Sequence, residues 1–216
     1  MDDVTLRILG PIEITSRDGR RLPVPCGQTL TVLVKLALAA NRVVRTDAVA
    51  AAVWGEDPED PPDNPRAGLH NAVAKLRRLL GPAAIETVAD GYRLCIDADE
   101  LDLLRFEELL DAASRTEGEA ALTLLESAIE LWHEPLLGGV PDPLRTIFEQ
   151  WLRERHLEAV VRRVELALDL NRTDVGTIAE LSELLRAHPF DERLVGLLMR
   201  TCHRHGRPAR THRGAR

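Results

Sequence analysis

The feature that most constrains this chain is a change of hydrophobic period near residue 97. Upstream, alternating apolar residues and turn signals coexist with helical spacing. Downstream, strand signals stop and the apolar runs recur at helical spacing. The change predicts an α+β N-terminal segment, residues 1–97, followed by an all-α segment, with Asp97-Ala98-Asp99-Glu100 between them. At 216 residues the chain is long enough to bury one large core or two modest ones.

In the first segment Val4, Leu6 and Ile8 alternate, Ile12 and Ile14 follow Gly10-Pro11, and Asp18-Gly19 turns the chain toward Leu22-Pro23-Val24. That pattern predicts a short antiparallel unit. A helix is expected over roughly Thr29–Ala40, and a shorter one over Asp47–Val53 with Thr46 as N-cap. The stretch Gly55–Pro65 is rich in proline and acid and reads as a loop. A third helix is expected over Pro65–Leu80, capped by Asn64, opened by Pro65 and ended by Gly81-Pro82. Ile85–Val88 and Tyr92–Ile96 around Ala89-Asp90-Gly91 predict a hairpin. Strands, three helices and a hairpin are the plan of a winged helix-turn-helix.

The second segment predicts helices at Leu101–Ala113, Glu119–Trp132, Leu144–Leu170, Asp174–His188 and Asp191–His203. Pairs of helices at roughly a 34-residue period suggest a tetratricopeptide-like array over 102–203. Residues 204–216 are expected to be a basic, disordered tail. The net charge of −7 is unevenly placed: residues 1–97 carry −1, residues 98–200 carry −11 and residues 201–216 carry +5. A nearly neutral first segment can hold a local basic face, with modest non-specific affinity for DNA.

That face is predicted on the third helix. Leu69, Val73, Leu76 and Leu80 fall within about 60° on a helical wheel and form the buried stripe. Opposite stand Asn64, Ala67, His70, Asn71, Ala74, Lys75 and Arg78, flanked by Arg66 and Arg77, with no acid among them. Asn71 suits a bidentate bond to a base edge, and His70 can donate or accept there. Lys75 and Arg78 suit phosphates or guanines. Arg42 and Arg45 precede the second helix, whose N-terminal amides favour phosphate, and Arg93 lies beyond the hairpin turn. Gly68 weakens the helix by roughly 1 kcal/mol relative to Ala, and Asp90 at the hairpin tip repels phosphate.

The strings VTLRILGPIEI, ANRVVRTDAVAAAVWGED, AVAKLRRLLG and IETVADGYRL resemble the SARP family, the Streptomyces antibiotic regulatory proteins. DELDLLRFEELLDAA, ALTLLESAIELWHEPLL and HPFDERLVGLLMR are similar to that family's bacterial transcriptional activation domain. The resemblance covers about residues 4–207. It implies an OmpR-type winged helix and a transcriptional activator of a secondary-metabolite gene cluster. Such an activator binds direct repeats in double-stranded DNA near promoters, as a pair, and recruits RNA polymerase holoenzyme. It also implies that Pro65–Leu80 is the recognition helix, Ile85–Ile96 the wing and Gly55–Asn64 the loop that meets polymerase, through Glu56, Asp57, Glu59, Asp60 and Asp63. The chain departs from the family at Gly27-Gln28-Thr29, where basic residues usually stand, and in TCHRHGRPARTHRGAR, which resembles a truncated end.

Other chemistry finds little footing. Four serines, no GxSxG, no Walker A pattern and no dinucleotide glycine motif argue against an enzyme, and no cofactor is expected. Cys202, His203, His205 and His212 lie where no scaffold is predicted, so no metal is expected. Trp54, Trp132 and Trp151 sit in apolar helical contexts that predict core packing. Three widely spaced cysteines, and no signal peptide or membrane-spanning run, predict a cytoplasmic, nucleoid-associated protein. The competing reading is a helical protein–protein scaffold whose DNA-binding domain is vestigial, favoured by the acidic helical half.

Overall fold

The computed structural model describes residues 4–55, 64–142 and 144–206. Its N-terminal part is α+β and its C-terminal part is helical. The chain opens with strands β1 (Val4–Arg7), β2 (Glu13–Ser16) and β3 (Arg21–Leu22), an antiparallel sheet in which Leu6 faces Ile14 and Ile14 faces Leu22. The alternation read from the sequence puts Leu6, Ile8 and Ile14 in the core.

Helix α1 (Gln28–Ala37) follows Gly27, whose φ of 55° is accessible to glycine at little cost. Eight of its ten residues are buried, so it is the central helix of this part rather than a half-exposed one. Next come β4 (Val44–Arg45), α2 (Thr46–Trp54) and α3 (Pro65–Leu80), then the hairpin β5 (Ile85–Val88) and β6 (Gly91–Leu94). Strand β4, which has no sequence signature at two residues, joins the hairpin in a second sheet of order β4-β6-β5. The remaining helices are α4 (Asp102–Ser114), α5 (Gly118–Ile129), α6 (Leu144–Asp169), α7 (Val175–Ala187) and α8 (Glu192–Arg204).

The chain forms two compact units, and they do not break at residues 97–102. One unit holds the chain up to Glu108 together with Glu130–Arg153. The cause is visible at the start of α4. The Asp102 carboxylate accepts the N–H groups of Ile8 and Leu9 at 2.9 Å, and Leu6 N–H donates to the Glu100 carbonyl at 2.7 Å. The β1 edge is thereby satisfied by the segment expected to be a linker. Phe106 is fully buried in the same unit and meets the Trp132 ring edge-on at 5.2 Å.

The other unit holds Leu109–Ile129 and the chain from Glu154 on. Leu157, Val160, Val161, Val164 and Leu168 of α6 pack with Leu181 of α7 and with Leu194 and Leu197 of α8. Asp174 closes a capping box with Thr177 at the start of α7, and Asp191 caps α8. Helix α8 runs one residue past the predicted Asp191–His203. The Arg204 guanidinium donates to the Leu168 carbonyl, and His205 pairs with Thr173 at 3.2 Å, so the first residues of the expected tail are tied to the unit.

Two sequence expectations change. Trp151 is 41% exposed rather than in the core, and Ile147, one turn before it on α6, is 62% exposed. Thr46 is not an N-cap: α2 begins at Thr46 itself, whose hydroxyl and N–H both donate to the Asp90 carbonyl, at 3.1 and 2.8 Å. Among the described residues no helix is long and apolar enough to cross a membrane, and no group of three His, Cys, Asp or Glu side chains is placed to hold a metal ion.

Candidate nucleic-acid interface

Helix α3 is set by its two ends and its inner stripe. The Asn64 side-chain oxygen accepts the Ala67 N–H at 3.0 Å, Pro65 occupies the first turn and Gly81 follows the last residue. Leu69, Ala72, Val73, Leu76 and Leu80 are buried, the expected stripe plus Ala72. Each large apolar side chain there contributes about 1.5–3 kcal/mol, enough to hold a 16-residue helix that would be marginal alone.

The opposite side of α3 is open. Arg66, Ala67, His70, Asn71, Ala74, Lys75 and Arg78 are all exposed, as the wheel places them. Among the described residues no carboxylate pairs with Arg42, Arg66, Lys75 or Arg78. Arg78 Nε donates along its own helix to the Ala74 carbonyl at 3.3 Å, and Arg42 lies exposed in the turn before β4.

Other expected cations are engaged elsewhere. Arg77 is half-buried: its Nε donates to the Ile85 carbonyl at 2.9 Å and its Nη2 to Thr87 Oγ1 at 2.8 Å. It pins the hairpin to α3 instead of flanking an open face. Arg93 faces Glu86 across the hairpin ladder, and its guanidinium is bonded to that carboxylate. The Arg93 bond holds the Glu86 carboxyl below its usual value. Arg45 forms a two-pronged pair with Asp47, Nε to Oδ1 at 3.1 Å and Nη2 to Oδ2 at 2.7 Å. Asn64 keeps its carbonyl oxygen committed to the helix end.

Three residues that sequence reasoning missed or misjudged build this surface. A Cβ at Gly91 would lie 2.2 Å from the Val44 carbonyl oxygen, so only glycine lets β6 approach β4. Gly68 is not simply a weak point of α3. A Cβ there would meet the Trp54 ring at 3.1–3.2 Å, so its absence lets α2 close on α3. Tyr92 is buried beneath the surface, and the exposed His70 ring stands edge-on to it at 6.5 Å, which fixes the imidazole's approach. Gly68 and Gly91 give a sequence-level hint by being glycines inside a helix and a strand; Tyr92 gives none beyond its place in the hairpin.

Between α2, α3 and the hairpin runs an open concavity of about 570 Å³, lined by Arg45, Thr46 and Asp47, by Arg66 and His70, and by Thr87–Tyr92. The carboxylates Glu56, Asp57, Glu59, Asp60 and Asp63, expected to meet polymerase, lie outside the described residues.

Residues 101–212 match the bacterial transcriptional activator domain. The chain belongs to that family. Within it the chain is a SARP-type regulator, as the relatives of its whole length bear out. The regulatory protein AfsR of Streptomyces coelicolor is 33% identical over 207 residues, covering 94% of this chain and 20% of AfsR. The transcriptional regulatory protein MoaR1 of Mycobacterium tuberculosis is 33% identical over 208 residues, covering 91% of this chain and 65% of MoaR1. The transcriptional regulator RedD of Streptomyces coelicolor is 30% identical over 221 residues, covering 94% of this chain and 60% of RedD. The chain thus spans less than two thirds of the length of each of these curated relatives. The solved structure of Mycobacterium tuberculosis EmbR in complex with a low-affinity phosphopeptide superposes with a TM-score of 0.82 at 30% identity, over 96% of this chain and 56% of that one. An α+β N-terminal part followed by a helical part is therefore the architecture this chain shares with EmbR.

Proposed function

We propose that the chain is a sequence-specific DNA-binding transcriptional activator. Residues 1–97 serve as an OmpR-type winged helix-turn-helix with α3 as recognition helix, and residues 102–203 as a tetratricopeptide-like interaction domain. The observation that carries the reading is the outer face of α3. Asn71, Lys75 and Arg78 stand exposed with small Ala67 and Ala74 between them, so the backbone can approach a groove floor. Asn71 reads a base edge, while Lys75 and Arg78 meet phosphates or guanines. Arg42 and Arg66, which pair with no carboxylate among the described residues, extend the same positive surface, and His70, edge-on to Tyr92, borders it.

The partner on this reading is double-stranded DNA carrying direct repeats. One recognition helix makes few base contacts, and a nearly neutral segment adds little non-specific affinity, so two copies bind head to tail on adjacent repeats. The repeats lie about 10–11 base pairs apart, which keeps both copies on one side of the duplex. The acidic helical half and the acidic stretch from Glu56 to Asp63 face protein, and RNA polymerase is the partner that suits them. The descriptions of AfsR as a regulatory protein and RedD as a transcriptional regulator support the regulatory role, and the SARP resemblance supports a secondary-metabolite cluster as its target.

The test is selection of bound duplexes from a random pool, followed by titration of the recovered sequence. A recurrent direct repeat is expected, with cooperative binding abolished by inserting about half a helical turn between the repeats. Recovery of no preferred sequence overturns the proposal.

A further inference from the structure

Arg45 and Asp47 line the same concavity as Arg66 and His70, beside the exposed face of α3. Both are largely in solvent, at 72% and 65% exposure, yet their side chains are locked together by two bonds. Asp47 also accepts the Ala48 N–H at 2.7 Å, which fixes the carboxylate at the start of α2. Thr46, between the two residues, ties the Asp90 carbonyl to the same spot, and Asp90 adds its own negative field to Arg45.

We propose that Asp47 is an affinity-setting residue: by engaging Arg45 it withholds one phosphate contact from the DNA-binding surface. The inference rests on the reading of this surface as a DNA interface and adds how its strength is set. A phosphate approaching Arg45 must displace a carboxylate already in place, and it meets the repulsion of that carboxylate as well. Phosphate contacts carry no sequence information, so the restraint lowers binding to all duplexes alike. A single copy is then too weak to hold a site alone, and occupancy depends on two adjacent sites. Glu86 engages Arg93 on the hairpin in the same manner.

The experiment is fluorescence anisotropy of the full chain with a labelled random-sequence duplex of about 20 base pairs, titrated between roughly 50 and 200 mM salt. Four proteins are compared: wild type, Asp47→Asn, Arg45→Ala and the double variant, with circular dichroism to check folding. Asp47→Asn should bind roughly three- to fivefold more tightly, the scale of one exposed charge interaction. Its salt slope should steepen by about 0.9, the value of one added phosphate contact. Arg45→Ala alone should leave the salt slope unsteepened, and most of the gain should vanish in the double variant, which keeps only the relief of the carboxylate's repulsion. Asp47→Ser, which keeps an acceptor for the Ala48 N–H, gives the same readout if the amide perturbs α2. A folded Asp47 variant with unchanged affinity and slope overturns the inference, and so does an equal gain in the Arg45→Ala background. Failure of the wild type to bind either this duplex or one carrying the repeat recovered by selection, at the lowest salt, overturns the DNA reading itself.

Discussion

Lys75 and Arg78, on the outer face of α3, differ from Arg45 before α2, Arg77 on the hairpin-facing side of α3 and Arg93 of the hairpin in one respect, which is what each cation already touches. On α3 the outward cations meet no carboxylate among the described residues. On the other side each arginine is engaged, by Asp47, by the Ile85 carbonyl and Thr87, or by Glu86. The two sides look alike in a count of positive residues. They differ in what a phosphate would have to displace, and that is a pairwise property set by the fold.

The comparison breaks most completely at Gly91. A Cβ there would drive into the Val44 carbonyl, separating β4 from β6 and undoing the frame that holds Arg45 and Arg93. Gly91→Ala should cost about 3 kcal/mol or more in urea unfolding. A loss below about 1 kcal/mol would mean that the close approach of β4 and β6 carries little of this fold.

Neighbouring cations on one helix sharpen the contrast. Arg77→Ala removes two bonds to the hairpin and should destabilise by about 1–2 kcal/mol. Lys75→Ala, from an exposed position, should stay within about 0.5 kcal/mol of wild type. Thermal or chemical unfolding of both variants, side by side, checks the pair. Equal stability losses would erase the distinction between a structural arginine and an available lysine.

Asp102 gives a reference point away from both surfaces. Burial pushes its carboxyl up to about 6, against the bonds from Ile8 and Leu9 that favour the charged form. The folded state therefore holds this proton more tightly than the unfolded chain does. Stability from this group is present below about pH 4, the unfolded value, and is lost as pH rises through about 6. Acidifying from about pH 7 to about pH 5 should stabilise wild type by about 1 kcal/mol relative to Asp102→Asn. A difference between the two proteins that does not change with pH would contradict the shift.

The smallest expected effect is at Gly68. Alanine would gain up to about 1 kcal/mol of helix propensity, but its Cβ meets the Trp54 ring at 3.1–3.2 Å. The two effects oppose, so Gly68→Ala should leave the melting temperature nearly unchanged. The full propensity gain would show that the indole yields freely and that the α2–α3 contact does not need glycine.

Much of this architecture is legible in the sequence because it rests on local rules. Asn64, Pro65 and Gly81 bound α3, and the spacing of Leu69, Val73, Leu76 and Leu80 fixes which face is buried and therefore which face is open. What is not legible depends on partners distant in sequence. Nothing near Asp102 says that its carboxylate will serve Ile8 and Leu9, so the expected linker becomes part of the first unit. Nothing near Arg77 says that it will bond the hairpin. Trp151 lies beside apolar neighbours and is nonetheless exposed, because helical context fixes spacing and not which side finds a partner.

The central claim is that the α3 face, and not the α2–hairpin side, supplies the phosphate contacts. The direct measurement is the salt dependence of binding to a random duplex for two paired variants of the full chain. Lys75→Ala with Arg78→Ala should weaken binding and flatten the slope by about 1.8, two phosphate contacts at about 0.9 each. Arg45→Ala with Arg93→Ala should leave the slope within about 0.3 of wild type, because those cations are already satisfied by carboxylates. A slope that flattens equally in both variants, or only in the second, would contradict the account.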